Sequence, residues 1–133
     1  MNPTANEPIV VTSPYGMRLQ PVLTIWRLHA GIDPEDRCNQ PVYAGRDGTV
    51  LKVQTIYGDG NRVVIDHGWV SGQSLMTAYN HLNTFAVVAV QSVRAGQLIG
   101  HAGMTGGVST GCHLDFQVYI SGSTVSPAPY LGL

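Results

Sequence analysis

Charge is scarce in this sequence, and no hydrophobic run in it is long. Charged residues make up 11% of the 133, with 7 Lys and Arg against 8 Asp and Glu, for a formal net charge of -1. That balance supplies neither the broad basic field that nucleic-acid binding needs nor an electrostatic pull toward anionic lipid. The longest apolar runs, such as Phe85 to Val90, are far too short to cross a bilayer, so no membrane insertion is expected. The opening Met1-Asn2-Pro3-Thr4-Ala5-Asn6-Glu7 lacks the basic start and apolar stretch of a secretory signal. The expectation is a chain that leaves the cell by another route, or one excised from a larger polypeptide. There are only two cysteines, Cys38 and Cys112, and their spacing is not that of a self-contained zinc knuckle. On numbers alone they fit one disulfide in an oxidising setting and two buried thiols equally well. No His-Glu-x-x-His stretch occurs, which excludes thermolysin-style general-base chemistry on motif grounds.

What is present is turn-rich and β-prone. Apolar residues are 44% of the chain, a compact globular composition long enough for one domain with a real core. Sixteen glycines and eight prolines punctuate short β-branched runs, the pattern of an all-β domain. Candidate strands are Ile9 to Thr12, Val42 to Ala44, Thr49 to Gln54, Val63 to Asp66, Leu75 to Tyr79, Val87 to Val93, Leu98 to Ala102 and Leu114 to Ile120. Gly58-Asp59-Gly60-Asn61 is a strong hairpin turn signal, and Ser121-Gly122 a weaker one. Helical periodicity is absent over any long stretch, and Pro127 and Pro129 close the domain. The expected fold is a single antiparallel β domain.

Five histidines stand out in so charge-poor a chain. His29 and Asp33 lie four apart around Gly31, with Pro34 following, so they straddle a loop-to-strand entry rather than a helical turn. A neutral imidazole and a carboxylate are both suited to zinc. His113-Leu114-Asp115 reads as strand, where alternation points His113 and Asp115 to one face and turns Leu114, Phe116 and Val118 to the core. Its plain reading is an ordinary solvated sheet face. His81, in Tyr79-Asn80-His81-Leu82, reads as a half-exposed strand end. His67 and His101 read as strand-to-turn residues without a catalytic role.

Taken in order, these segments resemble the lysostaphin and LytM-type family of peptidoglycan endopeptidases. The likeness rests on Ser13-Pro14-Tyr15-Gly16-Met17-Arg18-Leu19, Leu28-His29-Ala30-Gly31-Ile32-Asp33, and Pro41-Val42-Tyr43-Ala44 with Asp47-Gly48-Thr49-Val50. It continues through Gly60-Asn61-Arg62-Val63-Val64-Ile65-Asp66-His67-Gly68, Tyr79-Asn80-His81-Leu82 and Val93-Arg94-Ala95-Gly96-Gln97-Leu98-Ile99-Gly100. It ends with Gly103-Met104-Thr105-Gly106 and Ser109-Thr110-Gly111-Cys112-His113-Leu114-Asp115-Phe116. The likeness runs from about Thr12 to Leu131, so residues 1–11 are an expected N-terminal extension and 12–133 the expected metallopeptidase domain.

The resemblance implies an open, mostly antiparallel β-sheet with a groove over a metal site holding one Zn2+ per chain. It implies His29 and Asp33 as the first two ligands, with His81 and His113 as paired histidines beside the catalytic water. The family's usual third ligand is the second histidine of a His-x-His motif; here that position holds Asp115. A carboxylate binds zinc at about the imidazole distance, roughly 2.0–2.2 Å, but it is shorter and anionic and makes the metal a weaker Lewis acid. One of His81 and His113 is expected to assist deprotonation of water, and the other to stabilise the oxyanion and protonate the leaving amine. If the segments carrying Cys38 and Cys112 converge on one metal, the two sulfurs come within disulfide reach and brace the site. Tyr15, Trp26, Tyr57 and Met104 are candidates for the groove wall.

The implied function is cleavage of peptide stems or cross-bridges in bacterial peptidoglycan, acting at the cell wall. A phage tail or lysis component, or a piece of a larger polypeptide, is a setting consistent with the N-terminus. The alternative is a catalytically inactive relative that binds wall peptide or a partner protein, favoured by Asp115. A biotinyl- or lipoyl-carrier domain, suggested by the Val93 to Gly100 turn, is rejected: Lys52, the only lysine, lies within a strand.

Overall fold

The structure is a computed structural model. It describes residues 1–6, 8–20, 25–29, 31, 33–34, 37–107 and 111–133, with backbone alone for 17–20, 25–29 and 33–34. The strands are β1 (Val11–Ser13), β2 (Gly16–Gln20), β3 (Ile25–His29), β4 (Asp33–Pro34), β5 (Pro41–Tyr43) and β6 (Gly48–Ile56). They continue with β7 (Gly60–Val70), β8 (Gln73–Phe85), β9 (Ser92–Val93), β10 (Leu98–Ala102), β11 (Asp115–Ile120) and β12 (Ser123–Val125). A single turn of 3-10 helix, Ala128–Leu131, follows Pro127.

An eight-stranded sheet runs in the order β12-β11-β8-β7-β6-β9, with β10 pairing both β8 and β5. β1–β4 and β2–β3 form two separate two-stranded ribbons, and every pairing is antiparallel. The long strands β7 and β8 are the spine. They meet at Ser71-Gly72, both with positive φ (53° and 80°), a two-residue turn whose twist matches the strands it joins. Ser121 and Gly122 repeat that geometry between β11 and β12. Only the second of these Ser-Gly turns was expected from the sequence.

Alternation along the spine sends Val63, Ile65, Leu75, Tyr79, Phe116 and Val118 into one fully buried layer. Val42 of β5 and Ile99 of β10 close that layer from the other side. Each such side chain contributes roughly 1.5–3 kcal/mol by leaving water. The Tyr79 and Phe116 rings pack tilted, with centroids 5.3 Å apart.

Three expectations from the sequence need correction. Val87 to Val93 is strand only at Ser92–Val93. Val88 and Val90 are 68% and 79% exposed and Val90 has positive φ, so β-branching there marks a loop rather than a buried strand. Leu75 to Tyr79 does not end at Tyr79: β8 continues to Phe85. Beyond Tyr79, Asn80 bonds Asp115 of β11 and Thr84 bonds His101 of β10, partners that single-strand patterning does not reveal. The face opposite Phe116 and Val118 is not solvated, because Asp115 and Gln117 are only 5% and 6% exposed.

Candidate metallopeptidase site

The site lies on that second covered face. Where β8 passes β7 the ladder slips, with Asn61 opposite Leu82 but Val63 opposite Tyr79, so β8 carries one extra residue. A bulge of this kind re-aims a side chain. His81 sits in it with φ of 65°, a conformation that costs a non-glycine residue about 1–3 kcal/mol and persists only when its surroundings enforce it. They do: the His81 amide donates to the Asp59 carbonyl at 2.8 Å. Its ring is fixed as well, with Nδ1–H donating to the Thr105 carbonyl at 2.7 Å. Thr105 is held in turn, its hydroxyl donating to Leu82 O at 2.9 Å and accepting from Asn61 N at 3.0 Å. His81 is thus a buried, mid-strand residue rather than a half-exposed strand end.

His113 approaches from the segment before β11. Its amide donates to Gly103 O at 3.0 Å, forming an isolated bridge, and its Nδ1–H donates to Gly111 O at 3.0 Å. The preceding residue is covalently anchored by the Cys38–Cys112 disulfide. The His81 and His113 rings then lie with centroids 4.5 Å apart. Because a carbonyl can only accept, each Nδ1 carries the proton, and the basic nitrogen of each imidazole is Nε2.

Asp115 begins β11 directly opposite Asn80 of β8, whose Nδ2 donates to Asp115 Oδ2 at 3.0 Å. Asn80 Oδ1 accepts from Arg62 Nη1 at 3.0 Å. Arg62, 8% exposed, also donates to Gln117 Oε1 at 2.8 Å, Tyr119 Oη at 3.0 Å and Asp59 Oδ2 at 3.2 Å. Burial raises the Asp59 pKa; Arg62 opposes that shift, the Asp115 charge adds to it, and His81 opposes it. Arg62, Asn80, Asp59, Thr105 and Gln117 were not singled out from the sequence. Their role depends on which strands become neighbours. The one local hint was an arginine amid the apolar run of β7.

His29 is the last residue of β3 and Asp33 the first of β4. The side chains of both expected ligands, and that of Trp26, lie outside the described residues. The backbone between them is informative. Gly31 is buried, and a Cβ there would collide with Asp115 Oδ1, with Phe116 O at 2.6 Å and with Gln117 Cγ at 2.8 Å. Only glycine permits so close a crossing. The loop that carries His29 and Asp33 therefore runs across the carboxylate of Asp115, and β4 packs on β11. Among the described residues, no group of three or more His, Cys, Asp or Glu is gathered as a metal cage. The donor chemistry of His29, Asp33 and Asp115, one imidazole and two carboxylates, fits a zinc-class cation.

Tyr57 is 83% exposed at the β6–β7 turn, against Gly107, and Met104 is exposed on the loop after β10. Gly58 N donates to Gly106 O at 2.8 Å, joining those two loops beside His81. Tyr15 is half-buried and donates to Thr124 O at 3.4 Å. His101 bonds Thr84 Oγ1 at 2.8 Å. His67 is locked between Asp47 O (2.8 Å) and Thr77 Oγ1 (2.7 Å), and burial lowers its pKa.

An antiparallel sheet whose covered face brings two oriented histidines beside a buried acid is the arrangement with which known proteins were compared. Residues 27–127 match the model of Peptidase family M23. The DD-carboxypeptidase/endopeptidase Mpg of Neisseria meningitidis serogroup B is 41% identical over 124 residues, covering 91% of this chain and 27% of that protein. The Murein hydrolase activator NlpD of Salmonella dublin is 35% identical over 102 residues, covering 76% of this chain and 26% of that protein. Among solved structures, a zinc-containing peptidase from Vibrio cholerae superposes with a TM-score of 0.76 at 34% identity, covering 92% of this chain and 37% of that one. The catalytic domain of lysostaphin from Staphylococcus simulans gives 0.78 at 28% identity, covering 94% and 93%. The chain belongs to peptidase family M23. It spans about a quarter of the length of these curated relatives.

Proposed function

We propose that this domain is a zinc-dependent endopeptidase that hydrolyses peptide bonds in bacterial peptidoglycan stems or cross-bridges. The observation that carries the reading is the pair His81 and His113, with rings 4.5 Å apart and each Nδ1 committed to a backbone carbonyl. Membership of a peptidase family, and relatives named for DD-endopeptidase activity, support the substrate class.

His29, Asp33 and Asp115 would hold the zinc, which when bound supplies Lewis-acid polarisation of the scissile carbonyl. The chain's own residues do the rest. Nε2 of one imidazole takes a proton from the attacking water as the new C–O bond forms. The histidine pair returns that proton to the amine nitrogen as the C–N bond breaks, so each turnover leaves the pair as it began. The backbone carbonyls of Thr105 and Gly111 keep both rings in the tautomer this requires. The test is zymography on cell walls. Clearing that chelator abolishes and zinc restores is expected, and clearing indifferent to chelator, or none from folded zinc-loaded protein, refutes the reading.

Asp115 favours a second reading, a domain that binds wall peptide or a partner enzyme without hydrolysing, in keeping with a relative named as a murein hydrolase activator. Zinc content separates the two. A native chain that takes up no zinc, beside an Asp115→His variant that gains both metal and activity, identifies the binder.

A further inference from the structure

Resting on the reading of Asp115 as a metal ligand, we propose that Asn80 and Arg62 are its positioning residues, forming a support peculiar to a carboxylate at this place. A neutral ligating imidazole presents its second nitrogen as an N–H donor, whereas a carboxylate presents a second oxygen that only accepts, and it brings a negative charge. Both liabilities need an answer from the surrounding residues, because hydrogen bonds to a ligand's other atoms orient it and tune the metal.

The structure supplies both answers in one line across three adjacent strands. Arg62 of β7 can only donate, and an ionised Asp115 of β11 can only accept. Asn80 of β8 lies between them, bonded to Arg62 at 3.0 Å and to Asp115 at 3.0 Å. The amide therefore has one orientation that satisfies both neighbours: oxygen to the guanidinium, nitrogen to the carboxylate. The guanidinium is itself immobilised by Gln117, Tyr119 and Asp59, and Tyr119 Oη also donates to Gln117 Oε1 at 3.0 Å. Rotating the Asp115 carboxylate forfeits the bond from Asn80, an amide with 0% exposure and no access to replacement water. The same line places a buried cation behind a ligand set that carries two carboxylates. Opposite charge one residue removed offsets part of that excess without competing for the metal.

The test is a cycle on intact protein: native, Asn80→Ala, Asp115→His, and the two together. Zinc affinity is measured by chelator competition, and the visible spectrum is recorded on cobalt-loaded samples. Asn80→Ala should weaken zinc binding about 10- to 100-fold and change the cobalt spectrum when Asp115 is present. It should cost less than about threefold in the Asp115→His background, because the amide nitrogen turned toward this position is a donor that a carboxylate oxygen can accept and an imidazole N–H cannot. Asn80→Ser removes the bridging amide while leaving a small polar side chain, too short to reach Arg62 and Asp115 together, so it should show the same loss as alanine. It also serves if the alanine variant fails to fold. Equal losses in both backgrounds, or no loss in either, overturn the proposal while leaving the metal reading intact. A native chain that takes up no zinc while Asp115→His does overturns the ligand reading, and this inference with it.

Discussion

The Cys38–Cys112 disulfide joins residues 74 apart, and it allows a worked estimate of what one crosslink does for this domain. Closing a loop of that length in the unfolded chain removes entropy of about 2.1 plus 1.5R ln n, or roughly 15 cal/mol/K. At room temperature this is about 4.5 kcal/mol, near the top of the 2–5 kcal/mol usually lost with a native disulfide. Unfolding entropy for 133 residues is roughly 0.28 kcal/mol/K, so removing the bridge lowers Tm by about 7 °C for a loss of about 2 kcal/mol and about 16 °C for a loss of about 4.5 kcal/mol. Function should suffer more than stability. Cys112 adjoins His113, which is also held by its bridge to Gly103 and its ring bond to Gly111 O. The assay is thermal unfolding of the native protein and of a Cys38→Ser, Cys112→Ser double variant, with wall-clearing activity measured well below both midpoints. A Tm shift under about 3 °C refutes the entropic argument, and unchanged activity in a fully folded variant refutes the anchoring of His113.

Replacing Arg62 by Met leaves the Asp59 and Asp115 carboxylates without their shared cation. Breaking a buried pair costs about 3–5 kcal/mol; the lower end applies because Asp59 is 34% exposed, so a Tm loss near 10 °C by calorimetry is expected and one under 3 °C contradicts it. Burial lowers the His67 pKa below the unfolded value of 6.5, so the stability it contributes is complete above that value and is lost as pH falls toward the folded pKa. Urea midpoints at about pH 7 and about pH 5 should therefore converge in a His67→Gln variant relative to native protein, and an unchanged difference tells against the shift.

The strands were legible wherever one face was apolar and the other polar. Phe116 and Val118 alternate with Gln117 and Tyr119, and the core layer through β7, β8 and β11 follows from that alone. The β2–β3 ribbon was not legible, because Gly16 to Gln20 mixes glycine, methionine, arginine and leucine without alternation. The bulge at His81 was equally hidden. Tyr79-Asn80-His81-Leu82 has no glycine or proline to announce a kink, and the extra residue shows only when β8 is laid against β7. His81 and His113 could be named in sequence, since their neighbours form recognisable motifs. Alternation separates two faces; it does not tell what will cover them. Hence His113 and Asp115 read as residues of a solvated face, when in fact the Gly31 backbone lies on top of Asp115.

That covering loop explains why the departure at Asp115 is not a simple point change. A side chain at this position must fit beneath the Gly31 backbone, accept from an amide turned by Arg62, and sit opposite Asn80 in register. Aspartate meets all three demands: it is short, acceptor-only when ionised, and of opposite sign to the guanidinium. A histidine here must fit a larger ring under the same glycine and leaves Arg62 with Asp59 as the one carboxylate bonded within its network. Arg62, Asn80, Asp115 and Gly31 are therefore coupled through packing and charge, and substitutions among them should be non-additive. The native aspartate meets the demands of size, acceptor character and charge that these neighbours impose.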